Sequence, residues 1–443
     1  MGKSDAHRRC CQTRSRLLGW ISWRLLPQAW GPAALDSVHA RRRLVHIFCR
    51  AFDSNRLQAD LAHLLRFGAS HLPFAQPQCD LSLPVGLPVQ DCAARAFGAP
   101  GKPGHPWLGS SLAWPRTYVD HYEGSQLFAD PAFSNFTIVF APYCDGGSWT
   151  GNAARAVPTP ANSTGQGKPV YYRGARLLDA LLDSLFEAGL THAQNVLWGG
   201  CSAGALTTYL HADYVAQRVG AGTRVVALAD AMFSLEYEPF ETLPSPAKTF
   251  PEQMAWGYEN WNSTNAVDAD CSAHYGEKNA WRCLFGATVA QYVQTPLFVL
   301  NSKFDTWQAS AIVGAPSPGV ITQENRTVQQ FWLQYAAAMV SNFSALPPQH
   351  GGFLTNCPAH CQSGRATHGH DPAHRTADPW NLTTINSISL GTAFKLWYEA
   401  RTRTARAHDA GRRGGSTDGN GGEYRWIAAA TTTPTAPDTC GYY

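Results

Sequence analysis

The pentapeptide Gly200-Cys201-Ser202-Ala203-Gly204 matches G-x-S-x-G, the pattern of a serine raised on a tight strand-to-helix turn. Small residues on both sides let the strand and the following helix approach closely, which would expose the Ser202 hydroxyl at the carboxyl edge of a sheet. The N–H of Ala203 would open the helix and could donate to a developing oxyanion. A serine hydroxyl is a weak nucleophile and needs a base, with an acid to orient that base. In this arrangement the chain order is Ser, acid, His, and the acid ends a strand. Asp305 follows the β-rich run 296–300 and fits. Asp230, after the run 224–229, is its rival, with a structural cap as the plain alternative. The histidines after Asp305 are His350, His360, His368, His370, His374 and His408. His360 lies between Cys357 and Cys361, which could pin its loop, to each other or to distant partners. His368, His370 and His374 have the residue type of a metal cluster, but no carboxylate or Cys pattern accompanies them. No metal and no cofactor is expected.

The elements that would position these groups follow from periodicity. Residues 195–198 form a short apolar run leading into the motif, and 206–219 read as a helix. Leu177, Leu178, Leu181, Leu182, Leu185 and Phe186 make a helical stripe that Gly189 closes. Strand-like runs at 136–142, 224–229 and 296–300 alternate with helical patterns, including 323–343 and 385–401. This predicts an α/β domain with a mostly parallel central sheet flanked by helices. Residues 350–380 read as a long loop. Residues 1–88 lack clear periodicity, although 44–48 could be a short strand, and they stay an unassigned basic segment. The hydrolase-like domain is expected over 89–401. The Arg/Gly/Thr-rich 402–443 read as a disordered tail.

Several motifs in the same order resemble the pectin acetylesterases and their relatives, the Notum carboxylesterases. These are Tyr143-Cys144-Asp145-Gly146, Tyr172-Arg173-Gly174, the G-x-S-x-G itself, Thr295-Pro296-Leu297-Phe298 running to Asp305-Thr306-Trp307-Gln308, and Asn356-Cys357-Pro358-Ala359-His360-Cys361-Gln362. The resemblance covers roughly residues 88–401. It implies an α/β-hydrolase fold, secretion, and a triad of Ser202, Asp305 and His360. It also implies that Trp149 and Trp307 lie near the substrate pocket, with core packing as the alternative for both. The family's Gly-Gly-Gly-Trp-Cys loop, which supplies further oxyanion N–H groups, has no counterpart in residues 1–92, which hold five glycines, none adjacent. Either the first segment is not the native start or the loop was lost. The expectation is a sheet missing an N-terminal strand.

Composition limits the partners. Residues 1–66 carry 12 Lys/Arg against four Asp, a charge of +8, while the remaining 23 bases and 28 acids give −5. The slightly acidic body argues against nucleic acid as the main domain's partner. No stretch of about 18 apolar residues occurs, so no transmembrane segment is expected. Twelve cysteines, with Asn-x-Ser/Thr sequons at Asn135, Asn162, Asn262, Asn325, Asn342 and Asn381, favour an oxidising secretory compartment. Cys271 and Cys283 are spaced to pair, and Cys201 is expected packed or paired. The expected function is a secreted, monomeric serine carboxylesterase that removes O-acetyl groups from a cell-wall polysaccharide such as pectin. The alternatives are a Notum-like deacylase of a fatty acyl ester and a catalytically impaired binding protein.

Overall fold

A computed structural model of the chain describes residues 45–50, 127, 130–134, 136–142, 145–156, 170–241, 249–316, 326–363, 378–402, 424–431 and 440. In chain order the strands are β1 (Val45–Arg50), β2 (Thr137–Pro142), β3 (Asn195–Cys201), β4 (Arg224–Asp230), β5 (Leu297–Ser302), β6 (Gly351–Thr355), the short pair β7 (Thr384–Ile385) and β8 (Ile388–Ser389), and β9 (Arg425–Ile427). The helices are α1 (Gly174–Glu187), α2 (Ala203–Val219), α3 (Phe250–Asn260), α4 (Ala269–Tyr275), α5 (Gly286–Val289), α6 (Thr306–Ala311), α7 (Arg326–Ser344), α8 (Pro379–Leu382) and α9 (Leu390–Thr402). Seven strands form one sheet in the order β2-β1-β3-β4-β5-β6-β9, and every pairing is parallel. This is the α/β architecture expected from the alternation of runs.

Neighbouring side chains on a strand point to opposite faces, so a sheet covered on both sides reads as a continuous apolar run. Val196, Trp198, Ala227, Ala229, Leu297 and Val299 face one core, which Leu178, Leu182, Leu206 and Phe343 of α1, α2 and α7 complete. Leu197, Val226, Leu228, Phe298, Leu300 and Phe353 face the other, closed by Phe394 and Trp397 of α9. Gly351 and Gly352 show how close these layers come. A Cβ on Gly351 would lie 2.4 Å from the Trp397 ring, and one on Gly352 would lie 2.4 Å from the Val299 carbonyl oxygen. Among the described residues, no helix is long and apolar enough to cross a membrane.

Three expectations are corrected. The sheet has a strand where a gap is expected: β1 lies between β2 and β3, with Val45 paired to Thr137 on one side and Val196 on the other. Its Val-His-Ile-Phe core is strongly β-prone, which prevails over the lack of periodicity around it. The loop 350–380 contains β6, because its two glycines permit the close packing just described. The segment from 402 is not wholly a tail. Arg425–Ile427 pairs with β6, and the Lys303 ammonium donates to the carbonyls of Ala428 and Ala429 at 2.8 and 3.2 Å. Burial lowers the Lys303 pKa to about 8. Cys440, fully buried, pairs with Cys357. A Gly- and Arg-rich composition masks a three-residue strand. Cys271 pairs with Cys283 as spaced, while Cys361 pairs with Cys201 and not with Cys357.

Two buried histidines tie stability to pH. His211 on α2 and His350 before β6 both have their pKa lowered from 6.5 to about 4, chiefly by burial. The unfolded chain therefore takes up these protons near pH 6.5, while the fold refuses them until about pH 4. Stability present above pH 6.5 is lost as pH falls through that window, at most about 1.4 kcal/mol per pH unit for each residue. Melting temperature measured from pH 7 to pH 4 should fall steadily. His350→Gln should flatten that fall relative to the parent, and an unchanged slope would contradict the assignment.

Candidate active site

Ser202 occupies the turn between β3 and α2 with φ 61° and ψ −125°. This conformation is costly for a residue with a side chain, on the order of 1–3 kcal/mol. It is held from both sides. The Ser202 N–H donates to the Asp230 carbonyl at 3.0 Å, and the Ser202 carbonyl accepts from the Leu206 N–H at 3.1 Å. Gly200, Ala203 and Gly204 leave the crossing free of bulk, and all three are buried. Ala203 begins α2, so its N–H has no acceptor one turn back within the helix.

The structure brings Ser202, His360 and Asp305 into one row. The Ser202 Oγ lies 2.8 Å from His360 Nε2, and His360 Nδ1 lies 2.9 Å from both Asp305 oxygens. A carboxylate can only accept, so Nδ1 carries the imidazole proton and Nε2 accepts from the Ser202 hydroxyl. Asp305 is fully buried at the end of β5 and caps α6. Its Oδ1 accepts from the Trp307 and Gln308 N–H groups, each at 2.9 Å. Gln308 is fixed in turn by Tyr335, whose hydroxyl donates to Gln308 Oε1 at 2.6 Å. The carboxylate is thus oriented by the helix that begins directly after it.

Asp230, the rival acid, faces the residues after the histidine. It lies at the end of β4, and its carboxylate accepts from the Gln362 N–H at 2.8 and 2.9 Å, the Ser363 N–H at 2.7 Å and the Ser363 hydroxyl at 2.6 Å. Burial raises its pKa, while the Ser363 and Gln362 donors and nearby His360 oppose the rise. The disulfide Cys201–Cys361 joins the residue before Ser202 to the residue after His360. Sequence reasoning allowed a structural role for Asp230 and a distant partner for Cys361 but did not identify either tie. The signal for the second was a cysteine directly beside each of the two motif residues. Cys201, Asp230 and Cys361 are also the one close group of metal-ligand types among the described residues, but its two sulfurs are bonded to each other.

Trp307 is half-buried, with its ring centroid 5.3 Å from that of His360 and the planes 31° apart. Trp149 is placed differently. It is buried in the core beneath α1 and α2, its N–H donates to Asp145 Oδ2 at 3.0 Å, and its carbonyl accepts from His211 Nε2 at 2.9 Å. These contacts suit core packing. His350 Nδ1 accepts from the Leu297 N–H at 3.2 Å, at the end of β5 opposite Asp305. His368, His370, His374 and His408 lie outside the described residues. A cavity of about 830 Å³ lined by Arg176, His211, Asp213 and Pro296 opens at the starting edge of β4 and β5, away from Ser202.

Comparison with known proteins gives the family. Residues 104–410 match the model of the family described as Pectinacetylesterase. The chain is 30% identical over 257 residues to pectin acetylesterase 11 of Arabidopsis thaliana, covering 55% of this chain and 61% of that protein. It is 29% identical over 260 residues to pectin acetylesterase 7 of the same plant, covering 55% and 61%. It is also 28% identical over 209 residues to the palmitoleoyl-protein carboxylesterase NOTUM of Homo sapiens, covering 45% and 40%. The matched regions thus span about three fifths of the plant relatives' length. With the family match extending over more than half of its length, the chain belongs to the pectinacetylesterase family.

Proposed function

We propose that this protein is a secreted serine carboxylesterase that removes O-acetyl groups from a cell-wall polysaccharide such as pectin. The observation that carries the reading is the continuous hydrogen-bonded row from Ser202 through His360 to Asp305, with links of 2.8 and 2.9 Å. The polysaccharide is drawn from the names of the plant relatives. Secretion is supported by three disulfides among the described residues and by sequon asparagines Asn262 and Asn381, which are exposed.

In this reading, Ser202 Oγ attacks the acetyl carbonyl carbon as its proton passes to His360 Nε2. Asp305 holds Nδ1–H in place and stabilises the imidazolium. The Ala203 N–H donates to the oxyanion of the tetrahedral intermediate, where a positioned donor contributes about 100- to 1000-fold in rate. His360 then returns the proton to the sugar oxygen, the ester C–O bond breaks, and an acetyl group remains on Ser202. A water deprotonated by His360 attacks that acetyl carbonyl, and acetate leaves as Ser202 regains its proton.

A fluorophosphonate probe should label the full chain and not Ser202→Ala, which should also lose nearly all p-nitrophenyl acetate hydrolysis, on the order of a million-fold. Equal labelling of both would refute the nucleophile assignment. Preference for p-nitrophenyl acetate over the octanoate supports an acetylesterase, and the opposite preference supports a fatty-acyl deacylase.

The two buried aspartates should separate cleanly. Asp305→Asn should lower kcat/KM by about 10,000-fold, because the amide selects the wrong imidazole tautomer. Asp230→Asn should lower stability by about 1–3 kcal/mol and leave kcat/KM within about tenfold, since it weakens the clamp without touching Nδ1. Reversed magnitudes would assign the orienting acid to Asp230.

A further inference from the structure

We propose that Trp307 is a positioning residue for the base, its indole face stabilising the His360 imidazolium that forms during the reaction, in addition to any contact with substrate. This rests on the reading of His360 as the base. Two observations place Trp307 against both acid and base. Its backbone N–H donates to Asp305 Oδ1 at 2.9 Å, and its ring lies 5.3 Å from the imidazole at a shallow 31° tilt. The indole is braced from elsewhere by Phe250, edge-on at 6.1 Å and 83°. The indole N–H is enclosed and has no acceptor among the described residues, so no polar bond of its own sets the plane of the ring. Packing between Phe250 and His360 sets it.

The face of an indole carries negative potential and attracts a cation within about 6 Å of its centroid. Neutral imidazole gains little from this. Imidazolium gains more, so the interaction strengthens as the proton leaves Ser202 and contributes to kcat. Among the described residues, the charged or titratable groups near His360 include Asp305 at Nδ1, the Ser202 hydroxyl at Nε2, and the Asp230 carboxylate through its charge. Asp305 and Ser202 meet the imidazole at its edge, through its two nitrogens, and the Trp307 ring lies beside it at a shallow tilt.

The test is the pH dependence of kcat/KM for p-nitrophenyl acetate, whose acid limb reports the base of the free enzyme. Full-length wild type, Trp307→Phe, Trp307→Leu and Ser202→Ala are compared. Trp307→Leu should lower the plateau about 3- to 30-fold and move the acid limb down by roughly 0.5–1.5 pH units. Trp307→Phe should fall between, because a smaller ring keeps part of the potential. Should the Leu protein not fold, the Phe protein still carries the readout. An acid limb that stays put in the folded variants, whatever the plateau, overturns the proposal and leaves Trp307 as packing. If Ser202→Ala keeps the wild-type rate, the serine-esterase reading falls, and this proposal with it.

Discussion

One residue ties the two halves of the site together. The Asp230 carbonyl accepts from the Ser202 N–H, and its buried carboxylate accepts from the Gln362 and Ser363 N–H groups just past His360. A carboxylate without exposure is expensive unless its oxygens are satisfied. The donors that satisfy it come from the loop that carries the base. Its burial therefore forces that loop against the end of β4. The Cys201–Cys361 disulfide spans the same gap one residue away on each side, because β3 and β4 pair Cys201 directly with Asp230. Ser202 and the loop of His360 are thus held by a shared neighbour as well as by their own hydrogen bond.

The rest of the sheet extends this arrangement. Parallel strands bring their carboxyl ends to one edge, so the elbow after β3, Asp230 on β4, Asp305 after β5 and the His360 loop after β6 converge from residues far apart in sequence. Each of these residues is then fixed by a later element of the chain: α2 behind Ser202, α6 behind Asp305, and β9 with Cys440 behind the β6 loop. Lys303 contributes to the last of these. Its ammonium donates to the carbonyls of Ala428 and Ala429, two residues from Asp305. Residues 425–429 and Cys440 are thus part of the frame that holds Asp305 and His360.

Much of this was legible in the sequence, for physical reasons that differ by element. The central strands were legible because burial on both faces makes them apolar runs, as in 196–198 and 297–300. The elbow was legible because a strained serine needs small neighbours. Asp305 and His360 were legible as motif residues, although spacing alone left Asp230 and five other histidines open. The hidden parts depend on distant pairing. Residues 44–48 read as a short strand, but the place of Val45–Arg50 between β2 and β3 comes from partners about 90 and 150 residues away. Arg425–Ile427 is too short for any pattern. No rule of spacing could have chosen Cys201–Cys361 from twelve cysteines.

The central claim is that Ser202 becomes covalently acylated because His360 and Asp305 are held against it. The most direct measurement is mass spectrometry of the full chain quenched with acid during turnover of p-nitrophenyl acetate. The prediction is one added acetyl group, located by peptide mapping on Ser202 and missing from Ser202→Ala. Hydrolysis that proceeds with no acetyl on Ser202 under conditions that trap acyl-enzymes, or with the acetyl on another residue, would contradict it.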